Sequence, residues 1–528
     1  MQIDAETEQA VADFCRRILA EDPIPGLSVA LVTSDGEAYA DGFGARDLTG
    51  NRPASPDTLY GVGSVTKSVT ATAVLQLADA GMCQLSDRAS DHLDVDLGDD
   101  PENPITLHHL LSHTSGLPSL GVSEALIARR VRRGEAGVPL SSHEDFYAHV
   151  EGAAATERAA EPGERFAYCN TGYCLLGDVV EELTGKPFPA YVEDHVFAPL
   201  GMERATFDDT EFSMDDDHMT QYLIEDGDLV AASLPTREVS HAAGGILTCV
   251  RELGHYLQCH LKGGRITGSA AGTDGKGDTS SDTSGDGNGT SDGDATGAGH
   301  DDDGDDRGTR LLPESRMDAL YGEYAETPAG PYGYGWRTRS VCGRDLIGHA
   351  GSIAVSSAYV GFSQEADVGI ALAANSSPDY SLAALGEGVF ATIMGEEPAE
   401  AVPFFHRRDR FDQLTGKYES YRGIMRAAVV EDGGTLRVEL ASPMSDSSFP
   451  LHPEDLEPAA VSGRSEPTTG DVLRFSVPPK TDDRRPVEFR FTDEGDVRLL
   501  VDRWNLRKVA DAPPTTGNGA SDRGDRRR

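Results

Sequence analysis

Nowhere in the 528 residues do eighteen apolar residues run together, so no segment reads as a helix long enough to cross a bilayer. Met1 to Glu21 is polar and acidic and lacks the apolar centre of a secretory signal. Both absences lead to the expectation of a soluble, cytoplasmic protein with no membrane partner. The seven cysteines (Cys15, Cys83, Cys169, Cys174, Cys249, Cys259 and Cys342) are odd in number, scattered, and include no Cys-x-x-Cys pair. That argues against a disulfide framework and against a zinc site, and they read as reduced, buried thiols. Positive charge is scarce as well: 46 Lys and Arg, almost all of them Arg, stand against 89 Asp and Glu, for a net charge of −43. Such a balance excludes attraction to nucleic acid or to an acidic membrane. The acidic residues are spread over folded-looking regions rather than confined to a tail. They read as a halophilic surface whose self-repulsion is screened in concentrated salt, where the Debye length is about 3 Å at molar ionic strength. Folding should then require salt.

In a chain so poor in lysine, the placing of Lys67 matters. Tyr60 to Ala71 runs from an extended segment into a helix, and Ser64 and Lys67 stand three residues apart in it, so hydroxyl and amine share one helical face. A serine hydroxyl needs a neighbour to take its proton, and a lysine serves only as its neutral amine, a form favoured by burial and by the positive end of a helix. The first turn also leaves the Ser64 N–H without an intrahelical partner, ready to face a developing oxyanion. Read alone, Ser-x-x-Lys is more often a helix start with a capping serine. It occurs once in this chain.

Around it, Ile3 to Ile18 reads as a helix, and Gly26 to Thr33 and Glu37 to Gly44 as strands joined at Ser34-Asp35-Gly36. The Ser64 helix continues to about Gly81. His108, His109 and His113 invite a metal hypothesis, but without carboxylates at ligand spacing they read as structural. From Pro162 to Gly185, Tyr168 and Asn170 sit two apart, which in an extended loop points both the same way. A tyrosine beside a lysine ammonium can pass a proton to a leaving group, and an amide can orient the substrate carbonyl or the lysine. Cys169 and Cys174 nearby read as core.

Ser64-Val-Thr-Lys67, Leu110-Leu-Ser-His-Thr-Ser-Gly116, Tyr168-Cys-Asn170, Pro199-Leu-Gly-Met202 and Ala242-Ala-Gly-Gly245 together resemble the serine beta-lactamase and penicillin-binding-protein superfamily. The likeness is to the branch with class C beta-lactamases, D-alanyl-D-alanine carboxypeptidases and related esterases, and it covers about Ser28 to Gly395. It implies an α+β fold, an antiparallel sheet flanked by helices with a helical subdomain. It also implies a Lys/His-x-Gly triplet on a strand lining the site, found at His349-Ala350-Gly351. His349 stands where most lactamases carry lysine, as in the peptidase and esterase members. A neutral imidazole there can hydrogen-bond the tyrosine or substrate instead of supplying a fixed charge. By the same resemblance the Ser352 N–H is the second oxyanion donor, and His349, Gly351 and Asn170 bind substrate.

From Gly264 to Gly308 the chain is almost wholly Gly, Asp, Ser, Thr and Ala without aromatics, which reads as a disordered acidic insertion. Its Gly289-Thr-Ser-Asp-Gly293 spells a nucleophile elbow, but neither strand nor helix flanks it. Asp301 to Asp306 reads as a solvated charge run. A connector near Glu396 to Pro403 closes a hydrolase domain of residues 1–400. Beyond it, short alternating runs (Ile424 to Val430, Thr435 to Leu440, Val472 to Val477, Val487 to Phe491, Val497 to Val501) predict an antiparallel sheet or barrel of eight strands over 411–510. This part resembles a lipocalin-like domain attached to some members of the family and would cover the site or mediate assembly. Residues 511–528 read as a disordered tail.

The combined expectation is a serine hydrolase that forms an acyl-enzyme on the amide or ester carbonyl of a small molecule or peptide, without metal or cofactor. Ser64 attacks, Lys67 is the base, Tyr168 carries the proton, and Asn170 and His349 position the substrate. Two alternatives stand beside it: a true class C-like beta-lactamase, and a non-catalytic binding protein using the C-terminal barrel. Substrate and oligomeric state, a homo-oligomer included, stay open.

Overall fold

The computed structural model describes residues 3–511 apart from 120–141, 155, 226, 235–237, 267–309, 442–445, 454–471, 478–484, 493–495 and 502. The Gly289 to Gly293 pentapeptide, the Asp301 to Asp306 run and the expected tail beyond Asp511 lie outside the described residues, as does most of the expected insertion; Asp511 itself pairs with Lys508 at 2.8 Å. The insertion's first residues are described: Gly264 and Arg265 belong to the folded body, with Arg265 bridged to Arg310 and the Leu311 N–H donating to Gly264 O at 2.8 Å.

The helices that position the site are α1 (Ala5–Glu21), α2 (Thr66–Asp79), α3 (Asn170–Thr184), α4 (Val250–Leu261), α5 (Leu382–Ile393) and α6 (Pro403–Leu414). One antiparallel sheet is built from β1 (Gly26–Thr33), β2 (Gly36–Asp47), β3 (Arg52–Pro53), β4 (Arg337–Val341), β5 (Arg344–Ser352), β6 (Ser357–Ser363) and β7 (Val368–Ala374), in the order β3-β2-β1-β7-β6-β5-β4. The expected hairpin is present, in register from Gly26↔Gly44 to Thr33↔Gly36.

Strand β1 reads as an almost unbroken apolar run because both of its faces are covered. Leu27, Val29 and Leu31 enter a core with Val11, Phe14 and Ile18 of α1 and Leu385 and Val389 of α5. Ala30 and Val32 point the other way, into a larger core with Tyr256 and Leu257 of α4 and most of α2. Twelve of the fourteen α2 residues are buried, as in a helix enclosed on every side. Its sequence is mostly Thr, Ser, Ala, Val and Leu, and only Gln76 and Asp79 near its end reach solvent. Lys67, fully buried within it, therefore needs partners.

The stretch read as a connector is partly helical. A short turn of helix at Pro398–Ala401 precedes α6, which opens on Pro403 at its first position. Helix α6 was not expected, since its charged sequence hides a spaced set of aromatics. Phe405 joins the sheet core, whereas Phe411 and Leu414 join the core of the C-terminal unit.

That unit is a nearly closed all-β barrel with, among the described residues, nine strands rather than the expected eight: β8 (Gly416–Glu419), β9 (Arg426–Asp432), β10 (Thr435–Ala441), β11 (Asp446–Pro450), β12 (His452–Pro453), β13 (Val472–Val477), β14 (Arg485–Phe491), β15 (Val497–Val501) and β16 (Trp504–Ala510). The order is β11-β10-β9-β8-β16-β15-β14-β13-β12. Strands β11 and β12, at opposite ends of the hydrogen-bonded order, are separated in sequence by Leu451 alone, which brings the sheet round on itself. Val487 and Phe489, with Leu499 and Val501, alternate inward as the period-2 pattern requires. β11 and β12 are too short and polar for alternation to reveal.

Candidate active site

The chain enters α2 through a single turn of 3-10 helix, Gly63–Val65, so Ser64 precedes the α-helix proper. Residues i and i+3 eclipse in that geometry, and Lys67 Nζ lies 2.9 Å from Ser64 Oγ. The amine also donates to Ala243 O at 2.6 Å. A carbonyl can only accept, so this bond orients the amine and leaves its lone pair to accept the Ser64 proton when the amine is neutral. Ala243 lies in the Ala242 to Gly245 motif, whose role is thus to supply a backbone acceptor.

Gly63 makes the turn with φ +54°, in the left-handed region. A Cβ there would lie 2.7 Å from Ser352 N, and one on Gly351 would lie 2.6 Å from Ser64 N. The backbone segments carrying the two expected oxyanion donors therefore face each other with no room for a side chain. Gly63→Ala is expected to lower the acylation rate by about a hundredfold, the cost of spoiling one oxyanion donor. Stopped-flow acylation with an activated ester measures it, and an unchanged rate would remove Ser352 from that role.

Tyr168 is 37% exposed, and its ring centroid lies 5.0 Å from Lys67 Nζ. Tyr168 and Asn170 do not share an extended loop. Cys169 caps α3, its sulfur accepting from the Gly172 N–H at 3.3 Å, and Asn170 is the first residue of the helix. The Asn170 N–H donates to Ser119 Oγ at 3.3 Å, and its side chain makes no hydrogen bond to Ser64, Lys67 or Tyr168. Burial pushes the Cys169 thiol up to about 11, so it stays protonated at neutral pH. The cysteines are free, all buried except the partly exposed Cys342.

The three histidines part company. His108 Nδ1 meets Tyr334 Oη at 2.6 Å, His109 closes a capping box with Thr106 at the start of Leu107–Leu111, and His113 turns inward. The buried His113 ring lies 4.3 Å from that of Tyr168, and its Nε2 is 3.2 Å from Tyr332 Oη. Tyr332 Oη is in turn 3.1 Å from His349 Nε2. His349 thus contacts Tyr332, not Tyr168, whose ring is 6.4 Å away. Burial, with Lys67 and Arg337 nearby, depresses His349 to about 3, so its imidazole is neutral in the working range. Arg337 closes this corner, its guanidinium over the rings of Tyr332 and Phe166 at 5.6 and 6.0 Å. Together with Tyr168, His349, Arg339 and Ser381 it lines a cleft. Arg339 pairs with Glu387; Arg337 has no acidic partner among the described residues.

Sequence reasoning passed over Gly63, Tyr332 and Arg337 and gave His113 a merely structural part. Only His113 carried a signal, its place in Leu110 to Gly116. Tyr332 and Arg337 lie beyond the acidic insertion in a segment without a motif.

A family model described as beta-lactamase matches residues 11–386, and one described as the Pab87 octamerisation domain matches 398–507. Protein flp of Staphylococcus aureus (strain MW2) is 25% identical over 379 residues, which is 71% of this chain and 64% of that protein. Penicillin-binding protein 4 of Amycolatopsis lactamdurans is 31% identical over 188 residues, 35% of this chain and 45% of that protein. The chain thus spans less than two thirds of the length of either curated relative. The octameric penicillin-binding protein homologue from Pyrococcus abyssi superposes with a TM-score of 0.78 at 28% identity, covering 95% of this chain and 99% of that one. With its sheet, its Ser64–Lys67 pair and a family match over residues 11–386, the chain belongs to the beta-lactamase and penicillin-binding-protein superfamily of serine hydrolase folds.

Proposed function

We propose that this protein is a serine hydrolase that forms an acyl-enzyme at Ser64 on amide or ester carbonyls of small substrates carrying a carboxylate. The observation that carries the reading is the 2.9 Å contact between Nζ of Lys67, buried within α2, and Oγ of the partly exposed Ser64 at the entrance to that helix. A lysine kept only for structure gains nothing from being sealed away from water with one hydroxyl and one carbonyl as partners. Ser64 attacks as Lys67 takes its proton, the Ser64 and Ser352 N–H groups face the oxyanion, and Tyr168 is the half-exposed group that carries the proton to the leaving atom. Asn170 and His349 border the substrate. The carboxylate preference comes from Arg337, a guanidinium with no acidic partner among the described residues, in the cleft beside Tyr168 and His349. The octameric Pyrococcus abyssi homologue and the match of residues 398–507 support a homo-oligomer.

The test is a substrate panel in concentrated potassium chloride: dipeptides, amino-acid amides, neutral p-nitrophenyl esters and a chromogenic cephalosporin. Turnover of the peptides or amides, with slow cephalosporin turnover, supports the reading, whereas fast cephalosporin turnover limited by deacylation favours the lactamase alternative. Arg337→Gln is expected to raise KM about 10- to 100-fold for substrates with a carboxylate, the worth of a charge-assisted hydrogen bond. Neutral esters should change little, and an equal loss for both classes would remove Arg337 from substrate recognition.

A further inference from the structure

His113 is held in a left-handed backbone conformation, φ +58°, which costs energy in any residue with a Cβ. What that conformation achieves is visible in its partners. Its carbonyl accepts from the Ala167 N–H at 2.8 Å, and its Nδ1 accepts from the Cys169 N–H at 3.1 Å. One histidine therefore grips the residues immediately before and after Tyr168, while its ring lies against the tyrosine ring.

The remaining protons follow from the fixed donor and acceptor at the two ends, Cys169 N–H and Ala350 O, while the Tyr173 hydroxyl, which also lies beside Tyr332, donates its own proton to Leu111 O at 2.8 Å. His113 Nδ1 faces an N–H and is bare. The ring is buried, and burial first, then Lys67, His349 and Arg337, holds it neutral, so the proton sits on Nε2 and is donated to Tyr332 Oη. At the other end His349 Nδ1 lies 2.7 Å from Ala350 O, an obligate acceptor, so Nδ1 carries the proton. His349 Nε2 is then bare and accepts from the Tyr332 hydroxyl. The chain runs one way, from Cys169 N–H through His113, Tyr332 and His349 to Ala350 O. It begins at the residue after Tyr168 and ends two residues before Ser352, joining the two walls of the site through a tyrosine that is itself fully buried.

We infer that His113 and Tyr332 are positioning residues for the acyl-transfer reaction: they set Tyr168 against Lys67 and lock His349 as the Nδ1-protonated neutral imidazole. Mismatched protons anywhere along the strut leave two donors or two acceptors face to face, so the strut specifies one protonation state. The groups that face His349 are Tyr332, Tyr168, His113, Lys67 and Arg337. Arg337 is a fixed cation and Lys67 becomes one on taking the Ser64 proton, so a further positive charge at His349 would oppose that step. The inference rests on the serine hydrolase reading of the same site.

The experiment pairs Tyr332→Phe with histidine-selective nitrogen-15 spectroscopy of the wild-type protein in concentrated potassium chloride. Phenylalanine keeps the ring and removes both hydrogen bonds. The variant is expected to lose about 10- to 100-fold in kcat on an activated ester, with KM changed by less than about threefold. With no hydroxyl on Nε2, His349 becomes free to protonate, and the acid limb of the rate profile moves up by about one pH unit. A tyrosine needed only for packing would lower thermal stability and leave that limb in place. In the wild type, one non-titrating neutral histidine should be Nδ1-protonated and a second Nε2-protonated, with the first signal altered in Tyr332→Phe. A variant with wild-type kcat and pH profile, or a wild-type His349 protonated on Nε2, overturns the inference. The spectra are read without turnover, so they test the strut whatever the substrate, whereas a wild-type protein that never acylates Ser64 instead defeats the hydrolase reading.

Discussion

Lys67→Met slows phosphonylation of Ser64 by about a thousandfold or more, the range a positioned base and an activated nucleophile supply. The measurement is intact mass with time, in concentrated potassium chloride, after adding a broad serine-reactive phosphonate, followed by peptide mapping. Wild-type protein should take up one adduct, on Ser64, and Ser64→Ala none. Methionine is the informative substitution because Lys67 is fully buried. Alanine would open a cavity inside α2 at a cost of about 2–5 kcal/mol, mixing loss of base with loss of fold, whereas methionine nearly fills the volume and removes only the amine. Labelling of Lys67→Met at the wild-type rate would dismiss the lysine as base. A folded wild-type protein that takes no label would dismiss the nucleophile and turn attention to the barrel as a binding module.

Transfer from multimolar to about 0.1 M potassium chloride is expected to unfold the protein at room temperature, as followed by near-ultraviolet circular dichroism and sedimentation. On the halophilic reading, the self-repulsion of 89 acidic residues against 46 basic ones should be held off where the Debye length is a few ångströms; at 0.1 M it is about 10 Å, enough to couple neighbouring carboxylates. A domain is stable by only about 5–15 kcal/mol, so distributed repulsion of that order is decisive. Like charge acts locally at two carboxyls, second to burial. Glu193 is held above its ordinary value, by burial first and then by Glu211, Asp194 and Asp208. Glu431 is raised by burial and then by Asp412 and Asp379. A carboxyl raised in the folded state binds its proton more tightly there than in the unfolded chain, so it favours folding at acidic pH and loses that contribution as pH rises through its folded value. Mild acidification should therefore recover part of the low-salt loss. It should do so until carboxylates held low by hydrogen bonds and by Arg204, such as Asp208 and Asp215, begin to protonate and give up theirs. Full retention of structure at 0.1 M salt would end the halophilic reading.

How much of this was legible in the sequence depends on how far each contact reaches. Ser64 with Lys67 is a local pair within one turn, and spacing alone predicts it. The β1–β2 hairpin is local too, and its register follows from the turn. Asn170 was misread because Cys169, rather than a Ser, Thr, Asp or Asn, caps α3, so no familiar signal announced that the helix begins there. Tyr332 meets His113 across 219 positions of chain, and no local pattern encodes such a meeting. Helix α6 divides its few apolar residues between two cores, so neither core imposes a clear stripe on it. In each case the missed feature depends on two elements being packed together, which one element's sequence does not contain.

The bridge between Arg265 and Arg310 and the bond from Leu311 N–H to Gly264 O mean that the chain leaves the hydrolase body and re-enters it at the same point. Closing a longer excursion between fixed ends costs only about 0.6 kcal/mol for each doubling of length. The stem therefore frees the intervening stretch from any demand of the fold on its length, and in evolution that stretch can lengthen, shorten or change composition while α4 and the site it supports stay as they are. The same pinned ends make it the natural place to insert a reporter domain, or to cut the chain and join its original termini through a linker.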